Sequence, residues 1–244
     1  MTTAETDRAT RPAEGAPSPL ALLFAPDRAQ ERQARAGRAW GYLLFAWAGS
    51  LLLAAARATR VDAVSATLRK LEMSGQLQGM SDRQIADEAK NAERVFQVST
   101  IAKSVLGVPL SLGLACLALL ILAWFFRGKV KGSAVAPVAA ATMLPAALGD
   151  LLDAAVAFRH ATLPPEAAPL APRTLTAALA VAGRPLLGPL ARLGEALDFF
   201  SLWAALLMAF GLAAAADVPR RTALTGTVIA WVCWQLLTRV AMGG

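Results

Sequence analysis

Histidine and cysteine are almost missing from this 244-residue chain. One histidine, His160, excludes a histidine-based metal cluster. The two cysteines, Cys116 and Cys233, both lie in apolar stretches and offer neither a disulfide framework nor a zinc site. No P-loop, dinucleotide glycine fingerprint or Ser-His-Asp set is present. Charge is scarce as well: charged residues make up 17% of the chain and hydrophobic residues 56%, whereas a soluble domain carries about 25% charge. The basic excess, a net charge of +7, is scattered along the chain instead of forming one stripe, which argues against nucleic acid as a partner.

What charge there is avoids five stretches, bounded by Arg38 and Arg57, Lys103 and Arg127, Lys131 and Asp150, Asp198 and Asp217, and Arg221 and Arg239. A helix needs about 20 apolar residues to cross a bilayer, and each stretch is close to that length. The chain therefore reads as all-α and polytopic, a bundle of five transmembrane helices over about 39–56, 104–126, 133–153, 197–216 and 222–241. A helical extramembrane loop joins the first two. Residues 39–242 form the membrane domain, and 1–38 form a tail without a cleavable signal peptide, disordered to about residue 18.

Local patterns refine this outline. Arg28, Arg32, Arg35 and Arg38 share one helical face, as in an interfacial helix ahead of the first span. Trp40 and Tyr42 mark the entrance to that span at headgroup level, and Ala46, Ser50 and Ala54 make a small-xxx-small row. Ser81 and Gln84 have capping-box spacing, which predicts a helix that runs into the second span or meets it at a bend. Pro137 and Pro145 predict kinks in the third span. After it come a loop with Pro164, Pro165, Pro169 and Pro172, and a segment over 174–191, interrupted by Arg184, Pro185, Gly188 and Pro189, that reads as interfacial or re-entrant. Trp47, Trp231 and Trp234 read as packing residues. The dense basic clusters Arg28–Arg38, Arg127–Lys131 and Arg220–Arg221 fall on one side, placing the N-terminus in the cytoplasm and the C-terminus outside.

Three segments carry a resemblance. They are LLFAPDRAQERQARAGRAW, the stretch from MSDRQIADEAK to LLILAWFFRG, and LDFFSLWAALLMAFGLAAAADVPRRTALTGTVIAWVCWQLL. The last holds Asp198-Phe199-Phe200, Trp203, Gly211 and the Arg220/Arg221 pair. Together they resemble the bacterial branch of the Yip (Ypt/Rab-interacting protein) domain family, over roughly residues 20–242. The resemblance implies five spans with a cytoplasmic N-terminus, in a bacterial cytoplasmic membrane. It does not extend to GTPase binding, because the Asp-Leu-Tyr-Gly-Pro and Gly-Tyr motifs of the eukaryotic branch are absent and Tyr42 is the only tyrosine.

Two groups of residues are candidate sites. Asp150 and Asp153, at i and i+3, share a helical face, and intramembrane carboxylates cost about 2.5–3.5 kcal/mol at a helix centre. They fall near the outer end of the third span, at the level of Asp198, Arg159, His160, Arg192 and Glu195. The group reads either as a hydrated rim with local ion pairs or as a polar vestibule for a cation or headgroup. Gly149-Asp150 lacks the partner carboxylate motif that proton-sharing catalysis requires, so no enzymatic activity, cofactor or metal is expected. At the inner boundary, Arg38, Arg127, Lys129, Lys131, Arg220 and Arg221 form a belt that either attracts anionic lipid or serves topology alone. The functional expectation is a non-catalytic scaffold or adaptor whose partners are membrane lipids and other membrane proteins, compatible with a homo-oligomer. The alternative is a transporter component with a pathway near Pro137, Pro145, Asp150 and Asp153.

Overall fold

The computed structural model describes residues 17–163, 170–188, 191, 194, 195 and 197–241. Among the described residues the structure is helical, with only isolated bridges, Val61 to Leu163 and Thr174 to Asp198, in extended geometry. Four helical segments are long and apolar enough to cross a membrane: α3 (Trp40–Arg60), α5 (Asp82–Phe125), the pair α6 (Gly132–Thr142) and α7 (Leu144–Arg159), and α9 (Phe199–Ala216). They are consistent with a membrane protein. A fifth long helix, α10 (Arg220–Ala241), has the length but opens on two arginines and carries Thr222, Thr225, Thr227 and Gln235, and it is not among the four. The remaining helices are short: α1 (Pro19–Phe24), α2 (Pro26–Ala36), α4 (Ala63–Met73) and α8 (Leu175–Val181). The chain divides into two compact units, the first of residues 1–44, 111–145 and 199–244 and the second of 45–110 and 146–198.

In the first unit, α2, α6, α9 and α10 pack around a core built from small residues, with Ala139, Leu212, Ala215 and Ala223 among its buried members. Small side chains let helix backbones approach closely, which substitutes for a hydrophobic driving force inside a bilayer. At Gly211 a Cβ would collide with the Val138 side chain, and at Gly128 it would lie 2.7 Å from the Ala216 carbonyl oxygen. The turn after α5 is a Schellman closure: Gly128 N–H donates to Ala123 O (2.8 Å) and Arg127 N–H to Trp124 O (3.0 Å). Arg127 (φ 52°) there holds the left-handed conformation usually given to glycine, and Asp217 (φ 51°) does so after α9.

The arginine face of α2 is exposed as the spacing predicts. Its opposite face is turned to the protein. Ala29, Gln30 and Gln33 are buried, and α2 packs on α9 and α6. Tyr42 is packed within the first unit: it is 5% exposed and its hydroxyl donates to Pro17 O at 2.5 Å. A phenol buried in apolar surroundings needs such an acceptor.

In the second unit, the expected row on α3 is buried at Ala46 and Ala54, both members of that helix, and the tightest approach is at Gly49, where a Cβ would lie 2.8 Å from Ala147 O. The Ser81–Gln84 box forms: Ser81 N–H donates to Gln84 Oε1 (2.8 Å) and Gln84 N–H to Ser81 Oγ (3.4 Å). The resulting α5 runs unbroken into the apolar stretch, and it does so through Pro109. Proline has no N–H for the carbonyl four residues back, Val105 O. Trp47 Nε1 supplies the missing donor at 3.1 Å. The expected break near Pro145 falls at Met143, between α6 and α7, whereas α6 continues through Pro137. The long loop holds α4, capped by Asp62, and a 3₁₀ turn at Gln76–Gly79, neither of which the pattern predicted. Within the 174–191 segment lies α8, seven residues and about 10 Å long. Of the proline-rich loop, Pro164, Pro165 and Pro169 lie outside the described residues, as do Pro189, Arg192 and the tail to residue 16.

Candidate functional site

The second unit places an arginine against both candidate carboxylates. Arg173 Nη2 donates to Asp153 Oδ2 at 2.6 Å and to Asp150 Oδ1 at 3.4 Å. The other oxygen of Asp153 accepts from Ala171 N–H at 2.7 Å. Asp153 is left 3% exposed and Arg173 14%. Gly149 makes room for the guanidinium, because a Cβ there would stand 2.9 Å from Arg173 Cζ. The segment carrying Arg173 is fixed from its far side, where Leu175 N–H donates to Leu197 O (3.1 Å) and Thr174 bridges Asp198. Arg57 of α3 lies within electrostatic range of Asp150. Two carboxylates, an arginine and a backbone donor thus close on one another. An ion pair in low dielectric needs this close pairing and extra hydrogen bonding to persist.

The other outer residues are distributed differently. Asp198 joins the assembly through its backbone bridge to Thr174 and is half-buried. Arg159 and His160 are exposed at the end of α7 and make no ion pair among the described residues. Glu195 is exposed. Among the described residues no three His, Cys, Asp or Glu side chains are grouped to hold a metal. Arg173 itself escaped the sequence reading. Its only signal is an arginine between a proline and the Thr174 cap, with no periodicity to point it at α7.

The basic belt, all in the first unit, is not uniform. Arg220 pairs with Glu31 (2.5 Å) and Asp27 (3.3 Å) of α2. Lys131 pairs with Asp217 at 3.0 Å. Arg38, Arg127, Lys129 and Arg221 are exposed without an ion pair among the described residues.

A third feature was absent from the sequence reading. Gln30 Nε2 donates to Leu207 O (3.2 Å), in the middle of α9, and Gln33 Nε2 to Pro137 O (3.3 Å) and to Arg38 O. Both Oε1 atoms are buried and have no hydrogen-bond partner among the described residues. The available signal was two glutamines at i and i+3 opposite the arginine face. No family model, curated protein or solved structure matches this chain.

Proposed function

We propose that the chain is a non-catalytic, five-span integral protein of a bacterial cytoplasmic membrane, as the Yip-domain resemblance implies, acting as a scaffold or adaptor for other membrane proteins. The N-terminus is cytoplasmic, α10 is the fifth span and the C-terminus is outside. The observation that carries this reading is the surface of α5. In the first unit Leu114, Leu117, Ile121 and Trp124 are all exposed and follow one another at steps of three, four and three residues, the seam spacing by which helices associate laterally. The closed Arg173 cluster favours the same reading over transport, since carboxylates already joined to an arginine and a backbone N–H are poor cation ligands.

The test is recovery of the tagged protein in native lipid nanodiscs, with mass spectrometry of its companions. A stoichiometric membrane-protein partner is expected, lost on Leu114→Ala with Leu117→Ala. Recovery of this chain alone overturns the adaptor reading. A reporter fused after Gly244 is expected to be active on the outside of the membrane, and cytoplasmic activity overturns the five-span arrangement. In proteoliposomes, solute flux abolished by Asp150→Asn with Asp153→Asn would establish transport instead.

A further inference from the structure

In the first unit, the end of α5 and the first turns of α10 enclose an open groove of about 730 Å³. Its walls are apolar, with Ile121, Phe125, Phe126 and Ile229. Its depth depends on Gly226, where a Cβ would overlap the Phe126 ring. At the end formed by the first turn of α10 stand Arg221 and Thr222. Among the described residues no acidic side chain lines the groove. Arg221 makes no ion pair among the described residues, whereas its neighbour Arg220 is held by Asp27 and Glu31. The volume is that of a small-molecule site, and such sites combine apolar walls with a few polar groups.

We propose that this groove holds one anionic phospholipid, an acyl chain along the Phe126 and Ile229 walls and the phosphate at Arg221. Charge complementarity selects the occupant. A zwitterionic lipid offers the same phosphate but sets a quaternary ammonium beside it that opposes Arg221, and a free phosphate would make no use of the apolar walls. The exposed Arg127, in the turn that ends α5, adds a second cation to the same unit. The site goes beyond the scaffold reading but rests on the span assignment, since α10 must lie in the bilayer for a lipid to reach it.

The experiment is native mass spectrometry of the purified full chain, titrated with phosphatidylglycerol or with phosphatidylcholine of identical acyl chains. The wild type is expected to prefer phosphatidylglycerol. Arg221→Gln lowers that affinity about fivefold and Arg221→Glu roughly thirtyfold, taking about 1 kcal/mol per charge near an anionic surface. Phosphatidylcholine, whose phosphate is offset by its own choline cation, loses less than phosphatidylglycerol in either variant. Ala230→Trp, which fills the groove from an exposed position, weakens both lipids, and Lys90→Gln, on the exposed start of α5, weakens neither. Equal binding of the two lipids by the wild type, or an undiminished preference in Arg221→Gln, overturns the lipid site. Alkaline extraction of the same samples separates the two proposals. Release of the wild type from membranes, or cytoplasmic activity of the reporter fused after Gly244, overturns the span assignment, and retention with the reporter active outside but without lipid preference overturns the lipid site alone.

Discussion

Replacing Arg173 with Met should expose how much the second unit depends on its closed cluster. Asp153 is 3% exposed and its pairing distance to Arg173 is 2.6 Å, so the substitution strands a carboxylate that water cannot reach. Asp150 loses a weaker contact, 3.4 Å, and is 30% exposed, so hydration compensates much of its loss. Removing one member of a buried pair costs about 3–5 kcal/mol. For a chain of this size that lowers the melting temperature by roughly 6–20 °C. The measurement is thermal unfolding in nanodiscs, followed by tryptophan fluorescence. A second substitution distinguishes electrostatics from lost packing. Arg173→Met with Asp153→Asn removes the stranded charge while the amide oxygen still accepts from Ala171 N–H, whose bond to Asp153 is 2.7 Å. Most of the loss should return. If Arg173→Met melts within about 2 °C of the wild type, or if the double variant melts no higher than the single, the cluster is not the stabilising ion pair described here.

Three further predictions follow from other contacts. Trp47→Phe removes the donor to Val105 O and should cost about 1–3 kcal/mol, but much less in a Pro109→Ala background, where residue 109 regains its N–H; equal costs in the two backgrounds refute the link between Pro109 and Trp47. Gly211→Ala places a methyl group against Val138 and should destabilise by about 1–3 kcal/mol, with recovery on adding Val138→Ala; a silent Gly211→Ala would show that α6 and α9 are not in close contact there. The Asp62 carboxyl is held below the usual aspartate range by hydrogen bonds from the Ser65 hydroxyl and N–H. Its contribution to α4 is therefore complete above the unfolded aspartate value and disappears as pH falls through the lower folded one. Amide exchange in the first turn of α4 should accelerate in acid for the wild type and be independent of pH, beyond intrinsic exchange, in Asp62→Asn.

The parts of this structure that were legible in the sequence are those fixed by neighbours along the chain. The charge-free stretches located α3, the apolar part of α5, and α9, because a helix with no charge for that length has few alternatives. The Ser81–Gln84 box was legible because both partners lie within one turn. Contacts across long separations were not. Pro109 advertises a carbonyl without a donor, but nothing near it names Trp47, which is 58 residues away. The acidic pair on α2 that neutralises Arg220 is nearly the length of the chain away from it, so Arg220 and Arg221 looked equivalent. The carboxylates on α7 were found by their expected cost in the membrane. Their arginine lies in a proline-bounded segment without periodicity, and only the folded chain brings the two together.

The glutamines of α2 have a consequence for the order of assembly. Leu207, which accepts from Gln30, follows it by 177 residues, and Pro137, which accepts from Gln33, follows by 104. At 5–20 residues per second, translation reaches Leu207 roughly 9–35 s after Gln30 is made. Gln33 waits roughly 5–21 s for Pro137, and Gln30 the full interval for Leu207, so α2 can meet α6 before α9 exists. Docking of α2 is then completed only at a late step of biogenesis, and a chain truncated before α9 would leave Gln30 without its acceptor.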